Sequence, residues 1–68
     1  MIGPVIEGFR TGQKVRIEEP HNAPQNADHG KEGYIVSIEQ KPGMYIFWVD
    51  FGKGRPRPFV ASQLRAVG

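Results

Sequence analysis

The run Met44-Tyr45-Ile46-Phe47-Trp48-Val49-Asp50-Phe51 is the strongest predictor of a β-strand in this 68-residue chain, because aromatic and β-branched residues favour an extended backbone. Successive side chains of a strand point to opposite faces. One face of this strand carries Tyr45, Phe47, Val49 and Phe51, and the other carries Met44, Ile46, Trp48 and Asp50. Since both faces hold apolar groups, the run predicts a central strand with Trp48 on its outer face.

A turn precedes this strand, and two further strands are predicted upstream of the turn. Lys41-Pro42-Gly43 contains a proline that fixes φ and a glycine that allows positive φ. Before that turn, residues 34–39 place Tyr34, Val36 and Ile38 on one face, which predicts a second strand. Further upstream, residues 13–18 alternate polar and apolar side chains in the same way. The pattern therefore predicts three successive strands.

The segment after the strand predicts an edge of the sheet. Gly52-Lys53-Gly54 makes a tight turn, and Arg55-Pro56-Arg57-Pro58 cannot lie in a central strand because each proline lacks a ladder donor. Phe59-Val60 resumes the apolar pattern, Ala61-Ser62-Gln63 suits a single 3₁₀ turn, and residues 64–67 return as a short last strand. No segment has helical spacing over the roughly 10 residues that a helix needs. The chain is expected to be all-β, with five strands.

Residues 12–68 are expected to form one domain, preceded by an N-terminal arm of residues 1–11. Between the first two strands, residues 19–31 contain two prolines and two asparagines, which predicts one long loop. A chain of this length buries only about 60% of its unfolded surface, so its core is small. The expected core residues are Val15, Ile17, Val36, Ile38, Phe47, Val49 and Leu64.

Two glycine-led segments resemble those of known small barrels. Gly12-Gln13-Lys14-Val15-Arg16-Ile17, followed after a loop by Gly30-Lys31-Glu32-Gly33-Tyr34-Ile35-Val36, resembles KOW-type barrels and the photosystem I reaction-centre subunit IV family. The resemblance implies a five-stranded SH3-like small barrel with a long first loop and one 3₁₀ turn before the last strand. For the photosystem I family it also implies a docking subunit that presents a basic patch to an acidic partner, ferredoxin.

A second resemblance is to the plasmid-borne type II dihydrofolate reductases, which are also small SH3-like barrels. It rests on residues 12–16 and on Phe59-Val60-Ala61-Ser62-Gln63-Leu64-Arg65. Pro56-Arg57-Pro58-Phe59 stands where that family carries its substrate-binding strand. None of its functional residues is therefore carried over, since a shared fold does not fix a function.

Charge is unevenly distributed along the chain, although the total is only +2. Residues 1–40 hold four basic and six acidic residues, a balance of −2. Residues 41–68 hold five basic residues and Asp50 alone, a balance of +4. The C-terminal part is therefore the side that a polyanion or an acidic protein would meet.

The hexapeptide Lys53-Gly54-Arg55-Pro56-Arg57-Pro58 resembles the core of an AT-hook, in which an extended Gly-Arg-Pro segment lies in a narrow DNA minor groove. A solvated hairpin whose arginines cover apolar surface is the alternative interpretation. The residues expected to bind nucleic acid or an acidic partner are Lys53, Arg55, Arg57, Arg65 and Trp48. Trp48 would supply a stacking platform for bases.

Three binding or assembly functions remain open on this reading: contact with DNA or RNA, docking to an acidic protein, and oligomerisation through exposed edge strands. Catalysis is not expected, because the chain has no cysteine and its two serines lack a His/Asp sequence context. No metal site or cofactor is expected either, since His21, Asp28 and His29 follow no metal-site spacing. The oligomeric state stays undetermined.

Two further features bear on location. The chain has no run of roughly 18 apolar residues and no signal-peptide pattern at Met1-Ile2-Gly3-Pro4. Absence of cysteine favours a reducing compartment. A cytoplasmic protein without a membrane partner is therefore expected.

Overall fold

The computed structural model describes residues 5–18 and 28–67. Its elements are the strands β1 (Lys14–Ile17), β2 (Glu32–Lys41), β3 (Met44–Asp50), β4 (Arg57–Phe59) and β5 (Leu64–Ala66), with a 3₁₀ turn (Ala61–Gln63) before β5. The strands form one antiparallel sheet in the order β4-β3-β2-β1-β5. The expectation of an all-β chain with five strands is confirmed. Among the described residues, no helix is long and apolar enough to cross a membrane.

One face of the sheet carries the hydrophobic core. The buried apolar residues are Val15, Ile17, Ile35, Phe47, Val49, Phe59 and Leu64. Five of the seven core positions expected from the alternation are thus confirmed: Val15, Ile17, Phe47, Val49 and Leu64. Phe47 sits at the centre of β3, and the ring of Phe9 packs edge-to-face on it with the centroids 5.5 Å apart. The described part of the N-terminal arm is therefore packed against the core.

For the first half of β2, the prediction of which side chains face the core was wrong. Tyr34 and Val36 are 52% and 42% exposed, and Ile35 is buried in their place. Ile35 pairs with Val49 but the next pair is Ser37 with Trp48, so Val36 is an extra residue that forms a β-bulge. The bulge reverses the alternation, which leaves Ile38 packed against the core as expected while the residues before it change face.

Gly33 lies on the inner face at the start of β2, in register with Val15. A Cβ at this position would lie 2.5 Å from the carbonyl oxygen of Asp50. Backbone of the β3 end therefore approaches β2 more closely than any side chain would permit.

The turns and edges agree with the sequence pattern. Pro42 and Gly43 connect β2 to β3, and Gly43 has a φ of 79°. β4 pairs with β3 alone and lies at an edge of the sheet, as its prolines predict. β5 forms the other edge, beside β1.

Only the end of the long loop is described, because residues 19–27 lie outside the described ranges. In the part that follows, Gly30 donates its backbone N–H to the carbonyl of Ile17 and Lys31 donates to that of Asp28. Asp28 is buried, although it is a charged residue in a turn.

Candidate functional site

Two of the residues expected to bind a partner, Lys53 and Arg55, lie in the turn between β3 and β4. We call this turn, residues 52–56, the basic turn. Gly52 donates its backbone N–H to the Asp50 carboxylate at 2.8 Å. Gly52 and Gly54 have φ values of 90° and 72°, so the backbone reverses without a bulky residue. Lys53 and Arg55 are exposed, and neither forms an ion pair with any residue of the described ranges.

Arg57, at the start of β4, differs from these two cations. Its Nε lies 2.6 Å from Oδ2 of Asp28, whose side chain is only 4% exposed. The other oxygen, Oδ1, accepts a hydrogen bond from Lys31 Nζ at 3.1 Å. The carboxylate of Asp28 therefore ties the end of the long loop to the edge strand and already partners one predicted site residue.

A groove of about 530 Å³ runs between the Asp28 turn and the basic turn. Its charged lining residues are Asp28, Lys31, Glu32, Lys53, Arg55 and Arg57. We call it the cationic groove, because four of these six side chains are positive. The ring of Phe51 forms part of the wall, with Lys31 Nζ 5.9 Å from its centroid.

Trp48 lies on the outer face of β3, in register with Ser37 on one side and Pro58 on the other. A shallow depression of about 320 Å³ is lined by Val36, Ser37, Trp48, Arg55 and Pro56. Arg55 lines both this depression and the cationic groove. The sheet register and the basic turn thus bring an aromatic ring and an exposed guanidinium together.

The indole of Trp48 is anchored at its polar end. Its Nε1 donates a hydrogen bond to Oε1 of Glu39 at 3.2 Å. Lys41, whose Nζ is 3.1 Å from Glu39, lowers the pKa of that carboxyl, and the Trp48 hydrogen bond lowers it further. The polar edge of the ring is therefore hydrogen-bonded to an ionised carboxylate.

Arg65 is not part of this site. It lies on β5, and its Nε is 2.8 Å from Oε1 of Glu18. Arg16 contacts Glu18 and pairs more closely with Glu32 at 2.7 Å. That hydrogen bond raises the pKa of the Arg16 guanidinium and lowers the pKa of the Glu32 carboxyl. The charge of Arg65 is thus shared with an exposed network across β5, β1 and β2.

Sequence reasoning missed the role of Asp28 and Lys31. The sequence presents Asp28 only as a candidate metal ligand beside His21 and His29, yet its described neighbours Lys31 and Arg57 are cations. His21 lies outside the described residues, and the described ranges hold no group of three metal-ligating side chains. No local pattern links Asp28 with Arg57, because the fold alone brings them together.

The described site therefore consists of the basic turn, Trp48 and the cationic groove. No family model, no curated protein and no solved structure matches this chain.

Proposed function

We propose that this chain is a non-enzymatic module that binds single-stranded nucleic acid through the basic turn and Trp48. The observation that carries the proposal is the depression in which the exposed Arg55 adjoins the half-buried indole of Trp48. Single strands are held by this combination, since cations track the phosphates and aromatic rings stack on the bases. Lys53 adds a second exposed cation in the same turn.

Insertion into a duplex minor groove fits less well. An AT-hook uses an extended segment whose arginines are free to enter the groove. Here Arg57 belongs to β4, is in register with Val49 and is ion-paired with Asp28. We therefore assign the phosphate contacts to Lys53 and Arg55, and the base contact to Trp48.

We also propose that the sheet is curled into an SH3-like barrel. Phe59 ends β4 and Leu64 begins β5, so four residues join the two edges, three of them in the 3₁₀ turn. Such a connection spans about 13 Å, whereas the edges of a flat five-stranded sheet lie about 19 Å apart. Nuclear Overhauser effects between side chains of β4 and β1 test the closure, because a flat sheet separates these strands by about 14 Å.

The test of function is the salt dependence of binding to a fluorescently labelled oligonucleotide, followed by anisotropy. Each phosphate contact on a single strand contributes a slope of about −0.7 to log affinity against log salt. The double variant Lys53→Ala, Arg55→Ala should flatten the slope by about 1.4. The double variant Arg10→Ala, Arg65→Ala is the control, because it removes the same charge outside the basic turn. It should leave the part of the salt slope that comes from Lys53 and Arg55 unchanged.

Trp48→Leu separates stacking from charge. Loss of one stacked base costs about 1–3 kcal/mol, with the salt slope unchanged. If Lys53 and Arg55 matter and Trp48 does not, the strand is held through its phosphates alone and the stacking role of Trp48 is wrong. Absence of binding to single-stranded DNA, single-stranded RNA and duplex at about 50 mM salt, where electrostatic binding is strong, overturns the proposal. A preference for A·T-rich over G·C-rich duplex would restore minor-groove insertion.

A further inference from the structure

The buried carboxylate of Asp28 organises one wall of the cationic groove. Each of its oxygens contacts a cation: Oδ2 lies 2.6 Å from Nε of Arg57, and Oδ1 accepts a hydrogen bond from Lys31 Nζ. The carboxylate is 4% exposed, whereas the side chains of Arg57 and Lys31 are 60% and 55% exposed. The buried anion therefore fixes two cations whose other faces reach solvent.

The pairing leaves most donors of these cations available. A guanidinium has five N–H donors and an ammonium has three. Arg57 meets Asp28 through Nε, and its two terminal nitrogens bond no side chain of the described ranges. Lys53 and Arg55 line the same groove and bond no carboxylate of the described ranges.

Charge and volume define the ligand. The lining cations outnumber the lining carboxylates by two, and the second carboxylate, Glu32, is also bonded to Arg16 at 2.7 Å. A phosphate monoester carries about −1.5 to −2 at neutral pH, so it matches this excess. The groove volume of about 530 Å³ falls within the range of roughly 300–1,000 Å³ typical of small-molecule sites. A sugar attached to the phosphate therefore has room.

We propose that the cationic groove binds a terminal phosphate monoester, and that Asp28 is the positioning residue that aims Arg57 and Lys31 at it. The monoester belongs either to the end of a nucleic-acid strand or to a free nucleotide. The strand-end form rests on the proposed function. The groove then gives the module a preference for phosphorylated ends, which a stacking surface alone does not provide.

The experiment is calorimetric titration with four probes: inorganic phosphate, thymidine 5′-monophosphate, and an oligothymidylate of about eight nucleotides with and without a 5′-phosphate. The phosphorylated oligonucleotide should bind about tenfold more tightly than its 5′-hydroxyl form, the equivalent of one charge-assisted hydrogen bond. Binding of the mononucleotide or inorganic phosphate with comparable affinity identifies a free phosphate compound as the ligand.

Two variants distinguish positioning from bulk charge. Asp28→Asn and Glu32→Gln each remove one negative charge from the groove lining. A groove that acts by net charge binds phosphate more tightly in both variants. Positioning predicts that Asp28→Asn loses the roughly tenfold preference, while Glu32→Gln keeps or increases it.

Arg57→Lys covers the case in which Asp28→Asn fails to fold. It keeps the charge but removes the planar fork of the guanidinium. The affinity for the phosphorylated oligonucleotide should therefore fall to about that for the 5′-hydroxyl form. Equal binding of both oligonucleotides by the unmutated chain overturns the phosphate site. Tighter phosphate binding by Asp28→Asn overturns the positioning role of Asp28. If the phosphate site is wrong, both oligonucleotides still bind through the stacking surface. If the proposed function is wrong, neither oligonucleotide binds, and the titration with thymidine 5′-monophosphate then tests the groove alone.

Discussion

Gly33 occupies a position in β2 where a larger residue does not fit. An added Cβ would lie 2.5 Å from the backbone oxygen of Asp50 and 2.9 Å from side-chain atoms of Val49 and Phe51. Gly33→Ala should therefore lower the free energy of unfolding by about 1–3 kcal/mol, because backbone must shift to make room. Urea denaturation measures the loss.

Ser37→Ala is the matched control, since Ser37 is exposed on the same strand and the change should stay within about 0.5 kcal/mol. Equal stability of Gly33→Ala and the unmutated chain would show that β2 and the end of β3 are further apart than described.

At this scale the sequence predicts the large core side chains and misses the close approach. Phe47 and Val49 follow from alternation in one apolar run, and both are buried. From the sequence, Gly33 is only the glycine before a predicted strand. The pattern does not indicate that a larger residue would be excluded there. The distance to the Asp50 oxygen depends on how the end of β3 lies against its neighbour β2 in the folded sheet, which a local sequence pattern does not specify.

The bulge in β2 makes two adjacent residues unequal. Ile35 is fully buried and Val36 is 42% exposed. Ile35→Ala should cost about 2–5 kcal/mol, the usual loss for a buried isoleucine. Val36→Ala should cost less than about 1 kcal/mol, because the half-exposed Val36 side chain buries little apolar surface in the folded chain. Thermal or urea unfolding of the pair decides the register.

The opposite order of these two losses would restore the alternation without a bulge. Nothing in Tyr34-Ile35-Val36-Ser37-Ile38 marks the extra residue, since every member except Ser37 favours a strand. The partner strand sets it, where Val49 and Trp48 are consecutive but pair with Ile35 and Ser37. Turns were predictable because proline and glycine restrict φ locally, whereas a bulge depends on the neighbouring strand.

Across the whole molecule, the Asp28–Arg57 ion pair joins the end of the long loop to the edge strand β4. Arg57→Ala should destabilise the fold by about 1–3 kcal/mol, because it leaves the buried carboxylate without one of its partners. Arg55→Ala removes the same charge from an exposed side chain that pairs with no other described residue, and it should change stability by less than about 0.5 kcal/mol. Chemical denaturation of both variants at neutral pH makes the comparison.

Equal stabilities for these two variants would mean that Asp28 is satisfied without Arg57. The same contrast explains how much of the site was predictable. Lys53, Arg55 and Trp48 lie on or beside one hairpin, so local sequence brought them together. Arg57 was expected to bind a partner, but it is ion-paired with Asp28, which lies 29 residues earlier in the chain, in the turn before β2.

The pairing of β1 with β5 has kinetic consequences. Pro42 and Gly43 alone separate β2 from β3, whereas Val15 pairs with Ala66 about 50 residues further along the chain. Closing the longer loop costs more entropy before any pairing energy is gained. Folding should therefore begin at the β2–β3 hairpin and finish when β5 docks on β1. Substitutions in β5 would then accelerate unfolding and leave the folding rate nearly unchanged, which stopped-flow measurements can show.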